Sequence, residues 1–273
     1  MLLKVIIPRA MKSKSAITCL QLVSVGLVCL QFCACSATKS ATEAATLNPA
    51  PDPALLAQAD DAYAHRAERE RLRAGLELLK RARAVAPANY EATWRMARQA
   101  YTLGDGSQDD NEREALFREG IEAGDVAVRV EPSKPEGHFW LGANYGGLAK
   151  TEGPLVGLSD ADKLRHEMEA AQTINASLYD GSTYMVLGRL DLELPEWLGG
   201  DRQRALTTLE KGLQYGAQNP MLRLQLAKAY LANKKPDDAR KQLNFILAMK
   251  PDADYLPEYE QCASEARELL KRQ

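Results

Sequence analysis

Residues 219–252 read "NPMLRLQLAKAYLANKKPDDARKQLNFILAMKPD". With Pro220 as position 1, Leu226, Ala227 and Tyr230 fall at 7, 8 and 11, Ala239, Leu243 and Ile246 at 20, 24 and 27, and Pro251 at 32. The spacing predicts two antiparallel helices: small residues at 8 and 20 let them approach, and larger ones at 7, 11 and 24 fill the seam. The proline at 32 then stops the second helix.

The same ruler fits further upstream. With Pro135 at position 1, His138, Leu141, Gly142 and Tyr145 land on 4, 7, 8 and 11, within "GHFWLGANYGG" at 137–147. Gly120, Gly124 and Ala127 take 20, 24 and 27 of the preceding unit, which ends at Pro132. Tyr184, Leu187 and Gly188 repeat 4, 7 and 8 and are followed by Ala205, Leu209 and Gly212, while Trp94, Ala97 and Tyr101 supply 4, 7 and 11 of an earlier unit. A first unit pairs "LLAQADDAYAHRAERE" with Gly75, Leu79, Ala82 and Pro87. This is the tetratricopeptide (TPR) spacing, and the chain resembles that superfamily over residues 54–273. The expected fold is an all-α, TPR-like helical-hairpin solenoid of about five irregular units, closed by a capping helix in "LPEYEQCASEARELLKRQ".

First helices should begin near residues 91, 135, 181 and 220. The excess over a 34-residue repeat falls in "LGDGSQDDNEREA", "LAKTEGPLVGLSD" and "LDLELPEWLGGD", all between the two helices of a unit, and predicts a binding rim along one edge. In TPR solenoids, positions 5 and 9 of the first helices line the concave groove. Carried over by register, the resemblance implies Arg95, Phe139, Met185 and Leu224 together with Gln99, Ala143, Arg189 and Lys228 as groove residues. Such a mixture of apolar and basic side chains suits a peptide or helix with an acidic end, or an apolar carboxylate.

The first forty residues read differently. Lys12 and Lys14 precede the uncharged "AITCLQLVSVGLVCLQFCA", and a small, polar, Pro-containing run follows. This is the layout of a signal peptide (1–34) followed by a flexible tether (35–53). Cys35 after Ala34 resembles the lipidation site of a bacterial lipoprotein, although Phe32 departs from the Leu which that pattern prefers. An uncleaved anchor and plain secretion are the alternatives, and Met11 is an alternative start. Ser36 after the cysteine, in place of Asp, points to the periplasmic side of the outer membrane. Four of the five cysteines lie in this segment, so Cys262 is the only one left to the solenoid and reads as a small core residue.

The formal net charge is −2, and beyond residue 34 the balance is 31 basic against 37 acidic residues, which disfavours nucleic acid as a partner. "HEMEA" at His166 lacks the second histidine of a zinc motif because Ala170 stands there. "DGSQDDNE" at 105–112 lacks the order of a calcium loop and reads as a helix cap, as does Asp201 after Gly199 and Gly200. His65 and His138 show no nucleophile or carboxylate partner in the sequence. The reading is therefore no enzyme, no cofactor and no metal site.

"LPEWLGGDRQRALTTLEKGL" and "VRVEPSKPEGHFWLGANYG" resemble the T component of tripartite ATP-independent periplasmic (TRAP) transporters, a family of lipoproteins with irregular TPR-like units. The resemblance implies a periplasmic protein partner, namely the transporter's solute-binding protein, a membrane anchored by lipid, and homo-oligomers. A binding protein for a small apolar carboxylate is the alternative. Regulators of microtubule dynamics in animals share related repeats, but an exported chain fits them poorly.

Overall fold

The computed structural model describes residues 50–153 and 158–272. Cys35, the signal segment and most of the tether lie outside the described residues, as does part of the second insert. Among the described residues eleven α-helices follow one another: α1 (Pro53–Ala64), α2 (Arg69–Val85), α3 (Tyr90–Asp105), α4 (Asp110–Val130), α5 (Pro135–Glu152) and α6 (Leu158–Ile174), then α7 (Ser182–Glu193), α8 (Arg202–Gly212), α9 (Pro220–Ala232), α10 (Pro236–Ala248) and α11 (Leu256–Lys271). There is no strand among the described residues, and no helix there is long and apolar enough to cross a membrane. Consecutive helices pair as hairpins, and α3, α5, α7 and α9 begin within a residue of the starts that the repeat predicts.

Local chemistry explains those starts. Asn89, Asp109, Asp201 and Asn219 accept backbone N–H groups at the heads of α3, α4, α8 and α9. Pro135, Pro220 and Pro236 stand in the first turns of α5, α9 and α10, where a missing N–H costs nothing.

Among the described residues the inserts divide: the first leaves only a short turn, and the third remains an exposed turn between α7 and α8. In the first two inserts most of the extra residues lengthen helices: α3 to α6 run 16, 21, 18 and 17 residues, whereas α9 and α10 have 13 each and α7 and α8, around the third, 12 and 11. Amphipathic sequence continues past the 34-residue limit, and burying it is worth more than leaving it as loop. Gly146 and Gly147 accordingly lie inside α5. A Cβ on Gly147 would stand 2.3 Å from the Phe117 ring, and one on Gly146 2.4 Å from Leu164. Gly142 is explained as expected, by close approach to α6, where its Cβ would meet Glu167 at 3.1 Å.

Helix α11 covers the end of the last hairpin. Cys262 and Ala266 are buried against Leu224, Leu243 and Ile246, so Cys262 is a core residue, and burial pushes its thiol up to about 11. The two ends of the solenoid also meet. Arg66, after α1, places Nε 2.7 Å and Nη2 2.9 Å from the two Glu258 carboxylate oxygens of α11, and Tyr255 donates to Asp180 at 2.6 Å.

Candidate functional site

The predicted groove is mostly filled. Gln99 is fully buried, and its Nε2 donates to the Ala59 carbonyl at 2.6 Å. Arg95 is held by Asp60 at 2.9 Å and lies over the Trp94 ring at 4.4 Å, so α1 covers both of these positions on α3. Phe139 is buried edge-on between Trp140 and Tyr179, with ring centroids 5.0 and 5.1 Å away. At the C-terminal end, α11 buries Leu224 and pairs its Glu265 with Lys228 at 2.7 Å. Among the described residues Gln99, Phe139 and Leu224 are thus buried, while Arg95 and Lys228 stay partly exposed and are engaged by Asp60 and Glu265.

The other three come together. Ala143, Met185 and Arg189 line a cavity of about 320 Å³ between α3, α5, α6 and α7. Its walls are largely apolar, with small residues such as Gly146, Gly147 and Ala161 beside larger ones such as Leu164 and Leu190. Exposed Asp105, Lys150 and Glu193 give it charged edges. Arg189 pairs with Glu193 at 2.7 Å; burial opposes its charge, and Glu193 and Asp105 more than restore it. Burial likewise pushes the Tyr101 hydroxyl well above its ordinary range.

Away from this cavity, the packed helices bring together polar groups that sequence alone did not. Asp191, 2% exposed, accepts from Arg165 at 2.6 Å and from Arg204 at 2.7 and 2.6 Å, and thus ties α6, α7 and α8 into one block. Asn144 donates from α5 to the Ala97 and Trp140 carbonyls at 2.9 and 2.7 Å. His138 does have a carboxylate partner: Nδ1 is 2.6 Å from Glu167 and Nε2 is 3.0 Å from the Pro132 carbonyl. Both partners accept only, so they suit the doubly protonated ring, and the Glu167 bond raises the His138 pKa despite burial. No regular spacing links 138 to 167 or 165 to 191, so only the packed helices could show these pairs.

Among the described residues no group of three or more His, Cys, Asp or Glu could hold a metal ion. The acidic stretch at 105–112 acts as a cap and clasp. Asp109 heads α4, and Glu112 takes Arg69 at 2.8 Å together with Arg73 and Ser107, which hold its carboxyl down to about 2.

Stacked helix hairpins closed by a terminal helix define a TPR-type α-solenoid. The family model described as Regulator of microtubule dynamics protein 1-3 matches residues 55–197, more than half of the chain, and the chain belongs to that family. A tetratricopeptide repeat model matches residues 197–257. The first match corrects the expectation that the chain fits that family poorly: every matched residue lies beyond residues 1–34, the stretch on which that expectation rested. No curated protein matches the chain. Among solved structures, a thermophilic TPR protein of Thermus thermophilus superposes with TM-score 0.60 at 22% identity, over 80% of this chain and 98% of that one. The MamA protein superposes with TM-score 0.47 at 14% identity, over 78% and 93%. The first likeness supports the fold alone.

Proposed function

We propose that the chain is an exported, lipid-anchored interaction protein: Cys35 carries the lipid, residues up to 53 form the tether, and the TPR solenoid engages a periplasmic partner protein. The T component of a TRAP transporter, beside its solute-binding protein, is the form this reading takes. The family's name speaks of microtubules, but the leader ahead of the solenoid supports a partner outside the cytoplasm. The observation that carries the reading is the cavity at Ala143, Met185 and Arg189, whose apolar walls and charged edges have the make-up of a protein-docking notch. Pull-down of a TRAP solute-binding protein by the full exported chain tests it. Capture by the wild type, lost in Arg189→Glu and kept in Lys241→Glu, is expected. Equal capture by both variants, or none by the wild type, would refute it. Anchoring is tested separately by the mass of the exported chain, which should lose its acyl groups in Cys35→Ala.

A second reading, a binding protein for a small apolar carboxylate, draws on the same cavity. About 320 Å³ accommodates a small acid, and Lys150 and Arg189 offer a carboxylate partner. Native mass spectrometry of protein purified from the periplasm separates the readings: a co-purified acid, released by Arg189→Glu, supports this one.

A further inference from the structure

Trp197 is 75% exposed, the most open large apolar side chain among the described residues. It is not on a loose loop. Leu198 N–H donates to Pro195 O at 2.9 Å, Gly199 N–H to Glu196 O at 3.1 Å, Gly200 N–H to Pro195 O at 3.1 Å, and Arg204 Nη2 to Gly199 O at 2.6 Å. Gly199 has φ +88°, and a Cβ on Gly200 would stand 1.8 Å from the Leu194 carbonyl oxygen, so the turn can be built only with glycine at both places. Asp191, which holds Arg204 from within, also accepts the Asp201 N–H through its own carbonyl at 3.0 Å. The chain thus spends a buried acid and two glycines on presenting an indole to solvent.

Beside it lie cations. Asn233, at the turn between α9 and α10, donates to the Arg202 carbonyl at 2.8 Å, which brings Lys234 and Lys235 next to the start of α8. Arg202, Lys234 and Lys235 are exposed, and none pairs with an acid among the described residues. Of the acids at hand, Glu196 is exposed on the turn, Asp201 is occupied in capping α8, and Asp237 and Asp238, in the first turn of α10, pair with Arg240 and Lys241. An exposed tryptophan flanked by free lysine and arginine has the composition of an interfacial membrane contact: the indole sits at headgroup depth and the cations meet lipid phosphates.

We propose that the Trp197 turn, with Arg202, Lys234 and Lys235, lays the solenoid against an anionic phospholipid surface. The proposal rests on the lipid-anchored reading in one respect. A lipid on Cys35 would hold the chain at a membrane surface, where such a patch can meet phospholipid headgroups.

The test uses the exported Cys35→Ala chain, which carries no lipid, so that failure of the patch is distinguishable from failure of the anchor. Trp94 and Trp140 are buried, at 9% and 7% exposure, so a change in indole emission on adding vesicles reports Trp197. With vesicles of phosphatidylglycerol and phosphatidylcholine in equal parts, the emission should shift to the blue and become protected from acrylamide. Co-sedimentation should weaken roughly fivefold for each of Lys234→Gln and Lys235→Gln, at about 1 kcal/mol per cation. It should also weaken several-fold in Trp197→Ala. No shift with the anionic vesicles, an equal shift with pure phosphatidylcholine, or a shift seen only with an acidic protein partner would each overturn the proposal.

Discussion

Helices α3 to α6 and the hairpin α9–α10 bring helices together in different ways. In the C-terminal hairpin, Ala227 and Ala239 stand at the close approach, and Leu226, Leu243 and Ile246 fill the seam, all of them fully buried. The earlier units use glycine where the later one uses alanine, and large or polar groups fill the space: Gly120 against Asn144, Gly147 against Phe117, Gly142 against Met168. Most buried polar side chains lie in the earlier units, as do the buried atoms without a partner, Gln99 Oε1, Asn144 Oδ1 and Thr183 Oγ1 among them. The two family matches meet at residue 197, near the same divide. A plain repeat is held by interchangeable apolar contacts, whereas longer helices with buried amides and ion pairs allow one register only.

The largest effect that would break this contrast lies at Asp191. Asp191→Ala leaves Arg165 and Arg204 without their buried acceptor and should cost about 3 kcal/mol in urea unfolding, with α6, α7 and α8 losing amide-exchange protection together. A cost below about 1 kcal/mol would show that the two arginines reach solvent on their own.

Glycine is the next test. At most helix positions Gly→Ala stabilises by about 1 kcal/mol. Here Gly120→Ala and Gly147→Ala should each destabilise by about 1 to 3 kcal/mol, since the new Cβ would stand 2.1 Å from Asn144 Oδ1 and 2.3 Å from the Phe117 ring. Thermal melts that rise would mean the helices shift apart at little cost.

His138 gives a smaller, pH-dependent effect. Its folded pKa is raised, so its contribution is fully present below about pH 6.5 and is lost as pH rises through the raised value. Glu167→Gln should flatten that part of the stability profile, and unchanged curves would remove the imidazolium from the account. Smallest of all, Lys228→Ala in the regular unit breaks a half-exposed pair with Glu265 and should change stability by about 0.5 kcal/mol or less.

Much of the fold was legible in the sequence because its signals are local. Caps, first-turn prolines and the period of small and large residues act within a few residues, and they located α3, α5, α7 and α9 within a residue of where they begin. The site was less legible. Register alone assigned eight groove residues, and three of them, Ala143, Met185 and Arg189, share an open cavity. For Arg95, Gln99, Phe139, Leu224 and Lys228 the deciding fact is a neighbour distant in sequence: α1, the Tyr179 turn or α11.

Sequence by itself thus determined the all-helical repeat, the starts of its helices, the role of Gly142 and the core position of Cys262. Tertiary structure decided the rest: that the first two inserts lengthen helices, that Glu167 finds His138 and Arg204 finds Asp191, that the ends close through Arg66, and that Trp197 remains outside. The physical reason is range. Helix formation follows from neighbours three or four residues apart, whereas burial and charge pairing are set by whichever side chains a packed solenoid brings together.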